Sequence, residues 1–411
     1  MKEDNIIKIT RVDRHIINNK HPCYKTIQTY CIRSKNLYNY ANYIIRQEFI
    51  NNGKYLNYYD MQRNLKDSEP YKELMSQASQ CTLQVLDRNW KSFFVAIKDW
   101  KKNPSKYLGM PKLPNYKKKD GQFPWFLKNN QAYITEEGKL HFYMRCFNGY
   151  EFPTNIKDKG RLISIRFIPK GCVYVMEIIY EIEVPEIKET NDNILSIDLG
   201  VNNFVTMVNN IGERPIIING KGIKSYNQYW NKNKAKIQSE ISKRNNVYWC
   251  KRLDKLTLKR ENKLNNYLHH VSRFIVNYCK YRNIDNIIIG INHEWKQNCK
   301  LNKVATQNFT YIPYDKLIAM IKYKAEELQI RVIETDESYT SGTSFLDNEL
   351  PVKENYNKKR RVKRGLFKSN NGTLVNSDVN GAFQIGKKVF PNAFADGIVG
   401  VLNPIVINLC K

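Results

Sequence analysis

Two aspartates, 180 residues apart, sit where acids of that type can hold a metal ion. Asp198 closes the apolar run of NDNILSIDLGVNNFVTMV (191–208), two residues before Gly200. An acid ending a strand in an Asp-x-Gly turn can cap the turn, meet a nucleotide phosphate, or bind a divalent cation. Asp378, in NSDVNGAFQIGKK, stands at the start of a helical pattern that carries the small residues Gly381 and Ala382. Small residues let a helix approach a sheet, which would bring Asp378 toward Asp198, although a plain N-cap is the simpler role. Two carboxylates meeting in a basic groove suit Mg2+ or Mn2+, because hard cations prefer oxygen and leave room for water and phosphate oxygens. Phosphodiester cleavage needs such acids. A third is available from Glu294 in IIIGINHEWKQN, or from Glu334, Asp336 and Glu337 in RVIETDESYTS. Glu337 is favoured, because it follows the strand end and a loop can turn it into the crevice.

The elements needed to position these acids are legible in the pattern. Ile194 to Leu199 reads as a strand, followed by strands at Phe204 to Val208 and Arg214 to Ile218. Basic helical patterns follow from Gly222 to Asn245 and Lys251 to Tyr281. IDNIIIGIN is a short apolar strand of the kind buried in parallel sheets. DKLIAMIKYKAEELQI is an amphipathic helix, RVIET a strand, and SDVNGAFQIGKKVF a final helix. Three strands, helix, strand, helix, strand, helix is the order of an RNase H-like fold, with a domain boundary near residue 190. Upstream, NIIKITRVDR reads as a strand and 24–51 as a helix, and a second helical block runs from about 71 to 99. WKSFFVAIKDWKK puts Trp90, Phe93, Phe94, Ile97 and Trp100 largely on one side, which reads as helix–helix core. RLISIRFIPKGCVYVMEIIYEIEV is an antiparallel pair turning at its PKG.

Composition narrows the partner. The 411 residues carry 67 Lys and Arg against 39 Asp and Glu, a formal charge of +28, and 27 Tyr lie among the lysines. Such an excess predicts a polyanion, and the interleaved rings can stack bases, so nucleic acid is the expected ligand. Between 101 and 126 proline and glycine break the helix while Lys101, Lys102, Lys106, Lys112, Lys117, Lys118 and Lys119 accumulate beside Tyr116. This reads as a phosphate-tracking loop. Lys224, Arg244, Lys251 and Arg252, on the later basic helices, are further candidates for a nucleic-acid channel. No stretch approaches a membrane span, and no signal sequence is evident. The scattered cysteines, with no CxxC, fit a reducing cytoplasm.

In order and spacing these segments resemble the TnpB family of transposon-encoded, RNA-guided nucleases, relatives of the type V CRISPR effectors. SQASQCTLQVLDRNWKSFFVAI with its Gly/Pro/Lys sequel, LSIDLGVNNFVTM, IPYDKLIAMIKYKAEELQIRVIETDESYTS and NSDVNGAFQI carry the likeness. The resemblance implies a multidomain fold of α/β and α+β parts. A wedge β-barrel (1–15 and 111–189) would hold a helical REC insertion (16–110), ahead of a RuvC-like nuclease domain (190–411). It implies Asp198 and Asp378 as the first and third catalytic carboxylates, with Asn380 supporting them. It also implies a guide RNA, of transposon or CRISPR type, and a double-stranded DNA target beside a short adjacent motif. Two departures stand out. The family's second carboxylate ends a strand where this chain has Gly290, and Glu337, 47 positions on, suits a relocated glutamate. The family's zinc cysteines would fall near Ser344, Asp347, Lys368 and Asn371, so no zinc is expected in the insert at about 340–373.

Two other readings remain open on the sequence. Loss of the glutamate at Gly290 would suit a guide-dependent repressor that binds without cutting. An actin- or sugar-kinase-like ATPase would share IDLG, but it would want a second glycine-rich phosphate turn, and none is persuasive.

Overall fold

A computed structural model describes residues 6–156, 160–186, 190–245, 247–292, 311–363, 365–394 and 400–409. It divides into two compact units, Ile6–Val184 and Pro185–Lys411.

The first unit contains β1 (Ile6–Ile17), α1 (Tyr24–Asn52), α2 (Tyr58–Leu65), α3 (Glu69–Lys72) and α4 (Ser76–Lys102). Then come β2 (Trp125–Lys128), β3 (Ala132–Ile134), β4 (Lys139–Phe142), β5 (Phe152–Pro153), β6 (Arg161–Lys170) and β7 (Val173–Pro185). The sheets run β1-β7-β6-β2 and β3-β4-β5. Gly171, at φ 57°, turns the β6–β7 hairpin at the PKG segment, because only glycine takes that conformation without strain. Helix α4 starts at Ser76 and not near 71: Met75 adopts φ 70° and separates it from α3. Trp90 of α4 is fully buried and donates its indole N–H to Asn42 of α1 at 3.0 Å, with Phe93 and Phe94 packed on the same core.

The basic segment after α4 is partly strapped down. Asn39, Asn42 and Arg46 of α1 donate to the carbonyls of Lys117, Pro114 and Pro114 at 2.9, 2.9 and 2.7 Å. Lys117 turns inward, its ammonium 4.6 Å from the Tyr38 ring centre, and burial pushes its pKa down. That corrects its assignment as a phosphate contact. Lys106 is tied to Asp99 at 2.9 Å, Arg46 stacks 4.8 Å over Tyr116, and Lys101, Lys102, Lys112, Lys118 and Lys119 remain exposed.

The second unit contains β8 (Ile194–Leu199), β9 (Asn203–Asn209), β10 (Ile216–Asn219), α5 (Lys221–Asn245), α6 (Lys251–Tyr281) and β11 (Asn286–Ile291). It continues with α7 (Tyr314–Glu326), β12 (Arg331–Asp336), β13 (Leu366–Lys368), β14 (Leu374–Asn376), α8 (Ser377–Val389) and β15 (Ile405–Ile407). One sheet runs β12-β11-β8-β9-β10-β15, with β8, β11 and β12 parallel and β8, β9 and β10 antiparallel. Strand alternation divides its side chains. Leu195, Ile197, Ile287 and Ile289 join α6 and α7 in one core, while Ile194 and Ile288 meet Ile385 of α8 on the other face. Among the described residues no helix is long and apolar enough to cross a membrane.

Lys324 of α7 gives this unit a pH signature. It is only 3% exposed and donates to the neutral acceptors His269 O and Ser272 Oγ, at 3.0 and 2.6 Å. Burial first, then the charge of Arg273, pushes it down to about 8 from 10.5. A lowered folded pKa means the ammonium costs stability below pH 8, and stability rises as pH climbs from about 8 toward 10.5. Lys324→Met should therefore stabilise the protein by ~2 kcal/mol at pH 7 and flatten that rise. Thermal melts across pH 7 to 10 check this, and a variant melting lower with the slope intact would contradict it.

Candidate active site

Period-2 alternation puts Ile194, Ser196 and Asp198 on the face of β8 that meets α8. The contact is close. Ser196 Oγ donates to Ala382 O at 2.7 Å, and a Cβ added to Gly381 would lie 3.0 Å from Asp198 Oδ2. Glycine at 381 thus leaves room for that carboxylate, which a Cβ there would oblige to shift by a few tenths of an ångström. Gly381→Ala should lower turnover about tenfold through a displaced Asp198, with the melting temperature little changed. Full activity in that variant would mean the contact is slack.

Asp378 lies one turn before Gly381 on the same helix face. The N-cap of α8 is Asn376, whose Oδ1 accepts from the N–H groups of Asp378 and Val379 at 2.9 and 3.2 Å. Capping is thus done by a neighbour, and the Asp378 carboxylate instead accepts from Asn203 Nδ2 at 2.7 Å.

The remaining acids separate by parity. Gly290 of β11 is aligned with Thr335 of β12, so Thr335 and Glu337 share the α8 face while Glu334 points to the other. Glu337 N–H continues the ladder to Ile291 O at 3.2 Å. A Cβ on Gly290 would be 3.6 Å from Glu337 Cβ. Glu337 therefore stands beside the position that Gly290 leaves bare. Glu334 pairs with Lys322 at 2.8 Å and Asp336 with Lys388 at 3.5 Å. Glu294 lies outside the described residues.

Burial first, then the charges of Asp378 and Glu337, push Asp198 well above the usual carboxylate range, opposed by Arg361 and by the Leu199 N–H. Tyr314, which donates to Gly200 O at 2.8 Å, is also pushed up, by burial and then by Asp198 and Glu337, and stays a neutral phenol. The donor set fits a hard divalent cation: the acids repel one another, and positive charge is what the cluster lacks. Among the described residues no three His, Cys, Asp or Glu groups are gathered closely enough to hold one ion. Mg2+ commonly takes only one or two carboxylates, with waters and phosphate oxygens completing its shell.

Other candidates fare differently. Asn380 is buried and does not support the acids; it donates to Thr343 O and accepts from Phe345 N–H, at 2.8 and 2.9 Å, pinning that segment to α8. Lys224 donates to Asn202 at 3.1 Å and Arg252 pairs with Glu240 at 3.5 Å, while Arg244 and Lys251 are exposed. In the 340–373 insert, Asp347 accepts from Asn370 N–H at 2.9 Å, and Arg360 joins Glu349 at 2.6 Å and Asn370 at 2.8 Å. Polar bonds thus link the segments around 347 and 370. Asn203 and Arg361 went unrecognised in the sequence. The first sits in a short turn after Asp198, and the second in a basic run that looks like any solvated loop.

This mixed α/β multidomain fold has known counterparts. Residues 177–296 match the family model described as a probable transposase (OrfB_IS605), and 314–385 match the Cas12f1-like TNB domain. A curated relative, TnpB-like protein ORF457 of Acidianus two-tailed virus, is 25% identical over 398 residues, spanning 86% of this chain and 81% of its own. The Cas12f1 chain solved in complex with sgRNA and target DNA superposes with a TM-score of 0.51 at 16% identity, covering 88% of this chain and 82% of that one. Over most of its length the chain is thus similar to a TnpB-like protein, and its later part matches models of the OrfB_IS605 probable transposase and the Cas12f1-like TNB domain.

Proposed function

We propose that the protein is an RNA-guided DNA endonuclease that cuts through a RuvC-like, RNase H-type site. The observation that carries this is the buried Asp198 carboxylate, given room by Gly381 and pushed up first by burial and then by the charges of Asp378 and Glu337. One or two of the carboxylates of Asp198, Asp378 and Glu337 would hold Mg2+ or Mn2+, with water and phosphate oxygens completing its shell, and the bound ion would activate water and stabilise the leaving oxygen. Asn203 orients Asp378. Tyr314, kept protonated, fixes the Gly200 turn behind Asp198. Arg361, whose charge already acts on Asp198, can meet a phosphate oxygen as the strand arrives.

The first unit would serve as wedge barrel and helical recognition insertion, binding the guide RNA and reading a short duplex motif. Guide pairing would supply most of the sequence specificity. The exposed lysines after α4, with Arg244 and Lys251, would track phosphates. Work on the cytoplasmic nucleoid follows from that substrate. Glu337, beside the bare Gly290, supports the nuclease reading over the repressor. Sequencing the RNA that copurifies, then offering a matching plasmid with magnesium, tests the proposal. Cleavage that requires both RNA and metal is expected; binding with no cut at any divalent metal would return the repressor.

A further inference from the structure

The loop after α4 shows side chains that a merely solvated loop would not. Leu108 is wholly exposed, Met110 is 60% exposed, and Val95 on α4 is 70% exposed. The loop's stem is nonetheless fixed. One carboxylate, Asp99, accepts from Asn103 Nδ2, Lys106 Nζ and Tyr107 Oη at 3.0, 2.9 and 2.6 Å. On the far side Pro114 O is held by Asn42 and Arg46. Both ends are anchored, and the apolar tip projects between the exposed Lys101, Lys102 and Lys112.

Two adjoining clefts of about 660 and 510 Å³ run along α4 and share Arg88 and Lys91, the latter paired with Asp87 at 2.7 Å from an exposed position where a phosphate can compete for it. Tyr59 lines the first, and Val95 and Tyr107 line the second, which ends at the base of the loop. From Gln84 to Ala96 the helix covers about 18 Å, the axial length of roughly five phosphates of one duplex strand.

We propose that the 103–112 loop is a strand-separating wedge: Leu108 and Met110 enter the base stack of duplex DNA while Arg88 and Lys91 hold one strand's phosphates along α4. This rests on the DNA-targeting reading above. Inserting apolar side chains at a base step is a known way to unstack it, at a cost of a few kcal/mol offset by backbone contacts. Guide pairing is close to an even exchange for the DNA duplex, so the first opened step governs how readily pairing begins.

The test uses the protein with its own RNA and two linear targets, one fully paired and one mismatched beside the adjacent motif. Leu108→Ser with Met110→Ser should slow cutting of the paired target by about tenfold or more, while the pre-opened target is cut at nearly the wild-type rate. Equal loss on both targets, or loss on neither, overturns the wedge. If wild type cuts neither target, the nuclease reading has failed, and 2-aminopurine placed beside the motif judges the wedge alone. Fluorescence rising on binding of wild type but not of the double variant supports it; no rise with wild type overturns it.

Discussion

Asp198→Asn should abolish cleavage and, in the same protein, raise the melting temperature. The loss is expected to exceed ~10³-fold, about 4 kcal/mol of transition-state stabilisation, if this carboxylate holds the metal as proposed. The gain has a different origin. Asp198 is held above its ordinary value of 3.8 by burial and by two like charges. A raised folded pKa means that its stabilising contribution is present below pH 3.8 and is lost as pH rises through the folded value. At neutral pH the ionised form therefore works against the fold, and the isosteric amide removes that cost. Melts with and without MgCl2 separate the two effects. Wild type should gain several degrees from the metal, and Asp198→Asn should start higher and gain little. A variant that melts lower and still responds fully to magnesium would refute the reading of this site.

Glu337→Ala should reduce cleavage by about 10² to 10³-fold while leaving RNA and DNA binding intact, whereas Glu334→Ala and Asp336→Ala should stay within about threefold of wild type. Parity separates the three: Glu337 shares the face of Gly290 and Asp198, while Glu334 and Asp336 are committed to Lys322 and Lys388. A second variant probes the same space from the neighbouring strand. A Cβ at 290 would meet the Ile385 Cδ1 methyl at 2.5 Å, but that methyl is the movable end of its side chain. Gly290→Glu in the Glu337→Ala background should recover part of the lost rate, since the new carboxylate would enter the space that Glu337 borders. Undiminished cutting by Glu337→Ala would assign the third acid elsewhere and end this account of it.

Much of this was legible before any fold was known. The apolar run ending in Asp198, the small pair at 381 and 382, and the run of strands and helices after residue 190 follow from local patterning. Burial periodicity and the need for small residues at a close contact both write themselves into sequence. The excess of lysine likewise announced a polyanionic partner. What only the tertiary structure decided was which polar side chain meets which. Glu337, Glu334 and Asp336 look alike in RVIETDESYTS, and the alignment of Gly290 with Thr335 separates them. Asn376 caps α8 where Asp378 could have done so, Asn380 pins a backbone segment, and Lys117 turns inward among lysines that do not. The physical reason is common to all of these. Hydrogen bonds and charge couplings act over a few ångströms between groups tens or hundreds of positions apart, so their partners are set by strand order and register and leave no periodic trace along the chain.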